Sequence, residues 1–191
     1  MPATGRPRDA SVDQRVLTAV RELLAEHGYA RLRIDAVAER SGVAKTTIYR
    51  RWPGLVHLVV AAMTDLVGDR RVAATDDPER DLHEVCRVGL RSLRQAGPSL
   101  AALALQVHQQ DDDELRRAYR RALVDPLRDA LIDAMERGQA AGVVRSGVDA
   151  RVTADALIGA ALYRLVILRE PAGEEDLDAL LDVVLEGLRV G

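Results

Sequence analysis

Five side chains between positions 45 and 50 have the chemistry needed to contact duplex DNA: Lys45, Thr46, Thr47, Tyr49 and Arg50. An arginine can donate two hydrogen bonds to the O6 and N7 atoms of guanine, and a threonine can meet a thymine methyl group or a phosphate. A tyrosine hydroxyl at the end of a short helix suits a phosphate oxygen. Their types and spacing therefore predict a surface that contacts both bases and phosphates.

The residues that could support catalysis or bind a metal form no comparable set. None of the four histidines has the spacing of a metal-binding pair: His27, His57, His83 and His108. His108, Asp111 and Asp112 could hold a divalent cation if one helix carried all three. The run from Asp111 to Glu114 is more typical of a loop and a helix cap. We therefore expect no catalytic residues, no metal and no cofactor.

Two further features have a structural interpretation. Cys86, the single cysteine, lies on an apolar helix face, which is typical of a small buried hydrophobic residue rather than a redox sensor. A basic stripe is surrounded by acidic residues, which favours a solvated, salt-bridged face over a second DNA site; it comprises Arg116, Arg117, Arg120 and Arg121.

The composition predicts an all-α fold. Hydrophobic residues make up 48% of the 191 residues, but phenylalanine is absent, so the core must consist of Leu, Val, Ala and Ile. Alanine and leucine are strong helix formers. No apolar run approaches the ~20 residues of a membrane span, and the N-terminus has no signal-peptide core. We expect a soluble cytoplasmic protein.

Three short helices must position the candidate DNA-contacting residues. The first begins near Ser11 or Asp13 and ends at His27-Gly28, the second spans about Ile34 to Arg40, and the third about Ala44 to Arg51. The turn Ser41-Gly42-Val43 joins the last two, with Gly42 tolerating a positive φ angle. Apolar residues at helical spacing predict a shared core: Leu17, Val20, Leu24, Ile34, Val37, Ala38, Val43 and Ile48.

The rest of the chain predicts further helices, about nine in total. A fourth helix runs from Pro53 to about Val72, and a fifth from Asp77 to Gln95, where Ala96-Gly97-Pro98 is expected to break it. The remaining predicted helices span Ser99–Gln109, Asp112–Gly138 with a kink at Pro126, Ala150–Arg169 and Glu174–Arg189.

Charge divides the chain into two expected domains. Residues 1–58 carry a net charge of +4, whereas residues 59–191 carry −7. A basic head on an acidic body suits DNA binding at one end. We therefore predict a helix-turn-helix DNA-binding domain over 1–58 and a second domain over 59–191. Gly5-Arg-Pro-Arg8 is either an arm that lies in the minor groove or a disordered basic tail.

From about Arg15 to Val59 the sequence resembles the TetR family of bacterial transcriptional regulators. The resemblance rests on Gly28-Tyr29, Val37-Ala38, Ser41-Gly42-Val43 and Ile48-Tyr49. Beyond Val59 it rests only on the number and layout of helices. Membership implies a homodimer that places the third helix of each subunit in successive major grooves of a palindromic operator.

The resemblance assigns roles to residues of this sequence. Lys45, Thr46, Thr47, Tyr49 and Arg50 match positions that contact bases and phosphates, and Arg33 matches a phosphate contact at the start of the second helix. Two positions depart from the family pattern. Ala44 stands where the family commonly has a serine that caps the third helix. Losing such a cap costs roughly 1 kcal/mol of stability. Leu55 stands where the family usually has a lysine that reaches phosphate, so one contact to the DNA backbone is in doubt.

The same resemblance implies that the second domain binds a small ligand, expected here to be apolar, and pairs the subunits. Residues expected to line the ligand pocket, with a plain core role as the open alternative, are Met63, Leu90, Leu103, Gln106, Val107, His108, Tyr119 and Tyr163. Two last helices more apolar than a monomer needs supply the expected dimer interface: Leu157, Ile158, Ala161, Leu162, Leu165, Leu177, Leu181, Val184 and Leu188.

These observations predict a DNA-binding regulator, not an enzyme, and most simply a repressor released from its operator by the ligand. One alternative is a DNA-binding regulator controlled by a protein partner or by no ligand. The other is a helical enzyme or carrier whose helix-turn-helix is vestigial. Salt-sensitive duplex binding separates the last from the first two.

Overall fold

The computed structural model describes residues 10–109, 111–168 and 174–188. Within these ranges the side chains of 96–105, 108, 165–166, 174–178 and 180–181 are not described. Every element in the described ranges is helical, so the all-α prediction is confirmed. The chain forms two compact units, residues 1–65 and 66–191. No helix in the described part is long and apolar enough to cross a membrane.

The first unit contains α1 (Ala10–His27), α2 (Ile34–Ser41), α3 (Lys45–Arg51) and most of α4 (Leu55–Val67). Helix α1 packs on α2, and α2 packs on α3. Side chains at helical spacing meet in a common core, which includes Val16, Val20, Val37, Ile48, Leu58 and Val59, each fully buried. Helices α2 and α3, 8 and 7 residues long, are too short to be stable in isolation and therefore depend on this shared core.

The turn between α2 and α3 has the geometry that the sequence predicts. Gly42 adopts φ +64°, and its N–H group donates to the Glu39 carbonyl at 3.4 Å. The Val43 N–H group donates to the Ala38 carbonyl at 3.2 Å. A Cβ atom added to Gly42 would meet nothing within 4 Å. The requirement for glycine therefore comes from the left-handed backbone and not from crowding.

Ion pairs fix α1 against the other helices of this unit. Arg21 on α1 bonds Asp65 on α4 at 2.7 Å, and Arg40 on α2 bonds Glu26 on α1 at 2.8 Å. The hydrogen bonds from Arg40 hold the pKa of Glu26 below its usual range. Each exposed pair adds little stability, about 0–1 kcal/mol. Together they restrict how the short helices can tilt.

The second unit contains α5 (Pro78–Gln109), α6 (Asp113–Tyr119), α7 (Asp125–Ala140), α8 (Ala150–Leu162) and α9 (Glu174–Leu188). Helix α5 packs along α7, and α7 packs on α8. Asp112 and Asp149 cap α6 and α8 by accepting bonds from first-turn N–H groups. The core joins side chains of α5, α7 and α9, among them Leu82, Val85, Leu131, Met135 and Leu185.

Three predicted helix boundaries were wrong. Helix α4 begins at Leu55 and not at Pro53, and it ends at Val67, where Gly68 takes φ +69°. Helix α5 continues through Ala96-Gly97-Pro98, where we expected a break. A proline inside a helix costs about 3 kcal/mol. Tertiary packing can override such a local cost, and α5 packs on α6, α7, α8 and α9.

Pro126 produces a different distortion from the predicted kink. A π-helical turn, Arg120–Val124, separates α6 from α7 just before it. Because Pro126 has no N–H group, the helix cannot bond the Ala122 carbonyl from that position. The Arg70 guanidinium donates to that carbonyl at 2.9 Å and to the Leu123 carbonyl at 2.7 Å. Burial lowers the pKa of this half-buried arginine.

A buried carboxylate ties the segment before α5 to α7. Asp81 is 2% exposed and accepts bonds from the backbone N–H and the hydroxyl of Thr75, both at 2.7 Å. Arg137 on α7 donates to it at 2.8 Å. These bonds, led by the Thr75 N–H, lower the pKa of Asp81. The carboxylate is therefore fully partnered, as a buried charge must be.

Candidate nucleic-acid interface and apolar cavity

Helix α3 presents a polar outer face over one apolar anchor. Lys45, Thr46 and Arg50 are exposed, and Tyr49 is 51% exposed. Thr47 is half-buried, and Ile48 is fully buried in the core of the first unit. This arrangement exposes four of the five sequence-predicted side chains of α3 to solvent. Helix α3 has the polar face that a recognition helix requires.

The first turn of α3 has no side-chain cap. Ala44 precedes the helix in an extended conformation, and only its carbonyl takes part, accepting from the N–H groups of Thr47 at 2.9 Å and Ile48 at 3.2 Å. A serine at this position would also supply a side-chain acceptor. Because Ala44 stands in place of a serine, the first turn of α3 lacks a side-chain acceptor, as the sequence predicts.

Asp35 is a neighbour of the interface that the sequence interpretation missed. Its carboxylate lies 2.6 Å from the Lys45 ammonium, and both side chains are well exposed, 73% for Asp35 and 52% for Lys45. Asp35 sits in the first turn of α2, where a negative charge favours the helix dipole. That position explains the carboxylate locally, but only the fold brings it to Lys45.

Arg33 and Arg51 differ in their freedom to contact DNA. Arg33 precedes α2 and is exposed, and one of its terminal nitrogens donates to the carbonyls of Ala30 at 2.9 Å and Leu32 at 2.8 Å. Arg51 forms an ion pair with Asp13 on α1, and its side chain is only 16% exposed. Arg51 is therefore part of the packing between α1 and α3, whereas Arg33 is held beside the start of α2.

The second unit contains an apolar cavity between α5, α7 and α8. Its free space is about 30 Å³, close to the volume of one methyl group or water. Gly89 lies at its wall, where an added Cβ atom would approach a Leu127 methyl to 2.7 Å. Burial raises the pKa of the Cys86 thiol, another lining group, to about 12. The other lining residues are Val85, Leu90, Leu93, Leu131, Leu157, Ile158 and Ala161.

Of the residues predicted for the ligand pocket, Leu90 lines this cavity. Met63 belongs to the first unit and is buried there, and Tyr163 is 54% exposed. Val107 is buried and Gln106 half-buried, but neither lines the cavity. Tyr119 is buried beside a different depression, described below. The side chains of Leu103 and His108 lie outside the described residues.

The predicted dimer residues lie mostly on the inward side of α8 and α9. Leu157, Ile158 and Ala161 line the cavity, Leu188 is 5% exposed, and Leu162 and Val184 are half-buried. The side chains of Leu165, Leu177 and Leu181 lie outside the described residues. Both helices are apolar on more than one side, so the sequence pattern alone could not separate core from surface.

Helices α8 and α9 each have an exposed side with small and apolar residues, and these residues together are here called the exposed α8–α9 face. On α8 the small Ala156 and Gly159 lie between larger apolar residues, whereas on α9 Val183 lies between Ala179 and Gly187. The face comprises Val152, Ala156, Gly159, Tyr163 and Ile167 from α8 and the π-helical turn after it, with Ala179, Val183 and Gly187 from α9. Ile167 is 64% and Val183 69% exposed, unusual values for large aliphatic residues.

The first unit packs α1, α2 and α3 together and exposes the polar face of α3, and the described part of the second unit consists of helices. This is the architecture of a helix-turn-helix transcriptional regulator. A family model described as "Bacterial regulatory proteins, tetR family" matches residues 16–62. A second, described as "Tetracyclin repressor-like, C-terminal domain", matches residues 72–184. The chain belongs to the TetR family.

Individual relatives agree with this assignment. An HTH-type transcriptional regulator of Mycobacterium tuberculosis is 30% identical over 96% of this chain and 89% of its own length. A DNA-binding transcriptional repressor of Mycobacteroides abscessus is 30% identical over 97% of this chain and 95% of its own. FadR of Bacillus subtilis, solved in complex with stearoyl-CoA, is 23% identical with a TM-score of 0.67, covering 91% of this chain and 95% of that one.

Proposed function

We propose that this protein is a homodimeric repressor that binds a palindromic operator and is released by a small apolar ligand. The observation that carries the DNA-binding part is the outer face of α3, where Lys45, Thr46, Tyr49 and Arg50 are exposed above a buried anchor. Arg50 suits a guanine, and Tyr49 and Lys45 suit phosphates. Its site of action is the cytoplasm, where the chromosome lies.

A recognition helix as short as α3 is expected to act in a dimer. Helix α3 is 7 residues long and can contact only a few base pairs. Two copies about one helical turn apart double the contacts and explain why the operator is expected to be palindromic. The exposed α8–α9 face offers apolar residues for pairing, since Ala156 and Gly159 in the middle of α8 permit close approach of a partner helix.

The ligand is expected to insert an aliphatic group between α5, α7 and α8. The cavity there is lined by apolar side chains and is nearly filled at about 30 Å³. A ligand must therefore move these helices apart. A ligand controls DNA binding only when it prefers one arrangement of the protein over another. FadR of Bacillus subtilis, a protein of the same fold, was solved in complex with stearoyl-CoA, a ligand with a long aliphatic group.

The DNA-binding part is tested by selecting genomic fragments with the purified protein and then measuring binding by fluorescence anisotropy. Tyr49→Ala and Arg50→Ala should each weaken operator binding at least about 10-fold, the loss expected for one good contact of 1–3 kcal/mol made twice in a dimer. Arg80→Ala, which removes an exposed arginine of the second unit, should leave binding unchanged. Normal binding by both α3 variants would place the reading surface elsewhere.

The ligand part is tested by thermal melting against aliphatic alcohols and fatty acids of increasing chain length. A stabilising probe should also release the operator. The matched variant Ala161→Val, which adds two methyl groups at the cavity wall on α8, should lose both responses while still binding DNA. If no probe shifts the melting temperature or changes operator binding, the result favours regulation by a protein partner over regulation by a ligand.

A further inference from the structure

The second unit has a concave basic surface that the proposed function does not use. It has a volume of about 590 Å³ and lies beside α6, the π-helical turn, α7 and α8. Four arginines and two aspartates provide its charged groups: Arg116, Arg117, Arg120, Arg128, Asp113 and Asp155. We call it the arginine groove. It shares no lining residue with the apolar cavity.

The π-helical turn explains how arginines so far apart in sequence face one groove. Arg116, Arg120, Val124 and Arg128 are spaced four residues apart. On a regular helix with 3.6 residues per turn, such a row drifts by about 40° at each step. The wider turn at Arg120–Val124 contains more residues per turn and reduces that drift. The distortion before Pro126 therefore keeps Arg128 beneath Arg120. π-helical insertions of this kind are frequent at functional sites.

The two aspartates of the groove do not balance its arginines. Asp113 pairs with Arg116, and Asp155 accepts two bonds from Arg128, at 2.6 and 3.1 Å. Arg120 uses one nitrogen to bond Asp125 at 2.9 Å, which leaves its terminal amino groups unused by that pair.

Arg117 is exposed, and its guanidinium makes no hydrogen bond or ion pair with the described residues. Positive charge also converges on Asp155. Its pKa is lowered first by Arg128, and Arg120 and Arg151 contribute further. Because both groove aspartates already have arginine partners, Arg117 and the free side of Arg120 remain for an external anion.

We propose that the arginine groove binds a small organic oxyanion, a phosphate ester or a carboxylate, through Arg117 and Arg120. Planar guanidinium groups present paired N–H donors that match both kinds of oxyanion. Arg120 donates to Asp125 and Arg128 donates to Asp155, and these bonds hold the two side chains in place, so less side-chain entropy is lost at Arg120 when the anion binds. The aspartates also disfavour a continuous polyanion, which selects a compact ligand over duplex DNA.

The experiment uses the full-length protein and isothermal titration with two probes, inorganic pyrophosphate and citrate, at constant ionic strength set by sodium chloride. The variants are Arg117→Gln and Arg120→Gln. Arg121→Gln is the matched control, since Arg121 belongs to the same basic stripe but does not line the groove. Circular dichroism melting verifies that each variant is folded.

The proposal expects saturable binding of at least one probe, weakened 10-fold or more by Arg117→Gln or Arg120→Gln and unchanged by Arg121→Gln. Binding of pyrophosphate alone assigns the site to phosphate esters, and binding of citrate alone assigns it to carboxylates. Three results overturn the proposal: no saturable binding of either probe, an equal loss in the Arg121 control, or a loss of operator binding in the Arg117 variant. The last would make the groove a DNA contact.

Discussion

Lys45 carries the only ammonium side chain of the sequence, and in the free protein Asp35 holds it at 2.6 Å. A DNA phosphate must compete with that carboxylate. We predict that Asp35→Asn strengthens duplex binding by about 2- to 5-fold, corresponding to an exposed ion pair of up to about 1 kcal/mol. The gain should shrink as salt rises, because screening weakens the attraction to phosphate and the pair alike.

The control for this prediction is Glu39→Gln, which removes an exposed carboxylate from the same helix. Anisotropy titrations at several salt concentrations compare the two variants. A gain confined to Asp35→Asn supports competition at Lys45. An equal gain in both would mean that only net charge matters, and a loss in Asp35→Asn would mean that the aspartate positions Lys45 for binding.

Asp81 gives a residue-scale prediction about pH. Its folded-state pKa is lowered by its bonds to Thr75 and Arg137. Stability from this carboxylate is therefore present above its unfolded pKa of about 3.9 and is lost as pH falls through the lower folded value. Asp81→Asn should cost on the order of 2 kcal/mol at pH 7, the usual worth of bonds to a charged group. The difference from wild type should persist to about pH 5 and narrow below pH 4.

Asp133→Asn is the matched comparison for Asp81→Asn. Asp133 also bonds Arg137, at 2.9 Å, but it is 63% exposed. Its loss should cost only a few tenths of a kcal/mol. Urea unfolding of the three proteins from pH 3 to 7 provides the measurement. Equal costs for the two substitutions would show that the buried position of Asp81 contributes nothing.

At the scale of elements, the features that depend on residues close in sequence could be predicted. The turn at Gly42, the cap at Asp112 and the packing face of α1 all follow from local chemistry. Prolines were less predictable: Pro98 lies within a continuous helix, whereas a π-helical turn precedes Pro126. Such differences depend on tertiary partners distant in sequence, such as the Arg70 side chain that bonds the carbonyls of Ala122 and Leu123 before Pro126.

Arg70 and Pro126 form a coupled pair that a double-mutant cycle can test. Arg70→Met removes the side-chain donor to the carbonyls of Ala122 and Leu123, and we expect a loss of about 2 kcal/mol. In a Pro126→Ala background the alanine N–H group can bond the Ala122 carbonyl. The cost of Arg70→Met should then fall by about half.

The control for this cycle is Arg71→Met. Arg71 is 91% exposed and bonds only its neighbour Asp69 among the described residues, so its loss should change stability by less than about 0.5 kcal/mol. Chemical denaturation of the four proteins of the cycle gives the coupling energy. Additive effects of the two substitutions would mean that Arg70 does not compensate for the proline.

At the scale of the whole molecule, the family could be predicted from a short run of residues. Which apolar side chains lie inside the second unit and which face solvent could not. Leu157, Ile158 and Ala161 were predicted at a subunit interface, and in the structure they line the apolar cavity. Helix α8 is apolar on two sides, and only packing against α5 and α7 decides which side is internal. The arginine groove was hidden for a related reason, since its shape depends on the π-helical turn.

The exposed α8–α9 face leads to a prediction for the assembly. Ile167→Glu and Val183→Glu each place a charge where two subunits are expected to meet, which should cost about 3 kcal/mol or more and raise the dimer dissociation constant roughly 100-fold. Ala141→Glu, at an exposed turn of the same unit, should leave the dimer intact. Sedimentation velocity across a concentration series measures the shift. Both face variants should also lose tight operator binding, because a single α3 contacts only one half-site. Dimers that persist in both variants would move the interface to another surface.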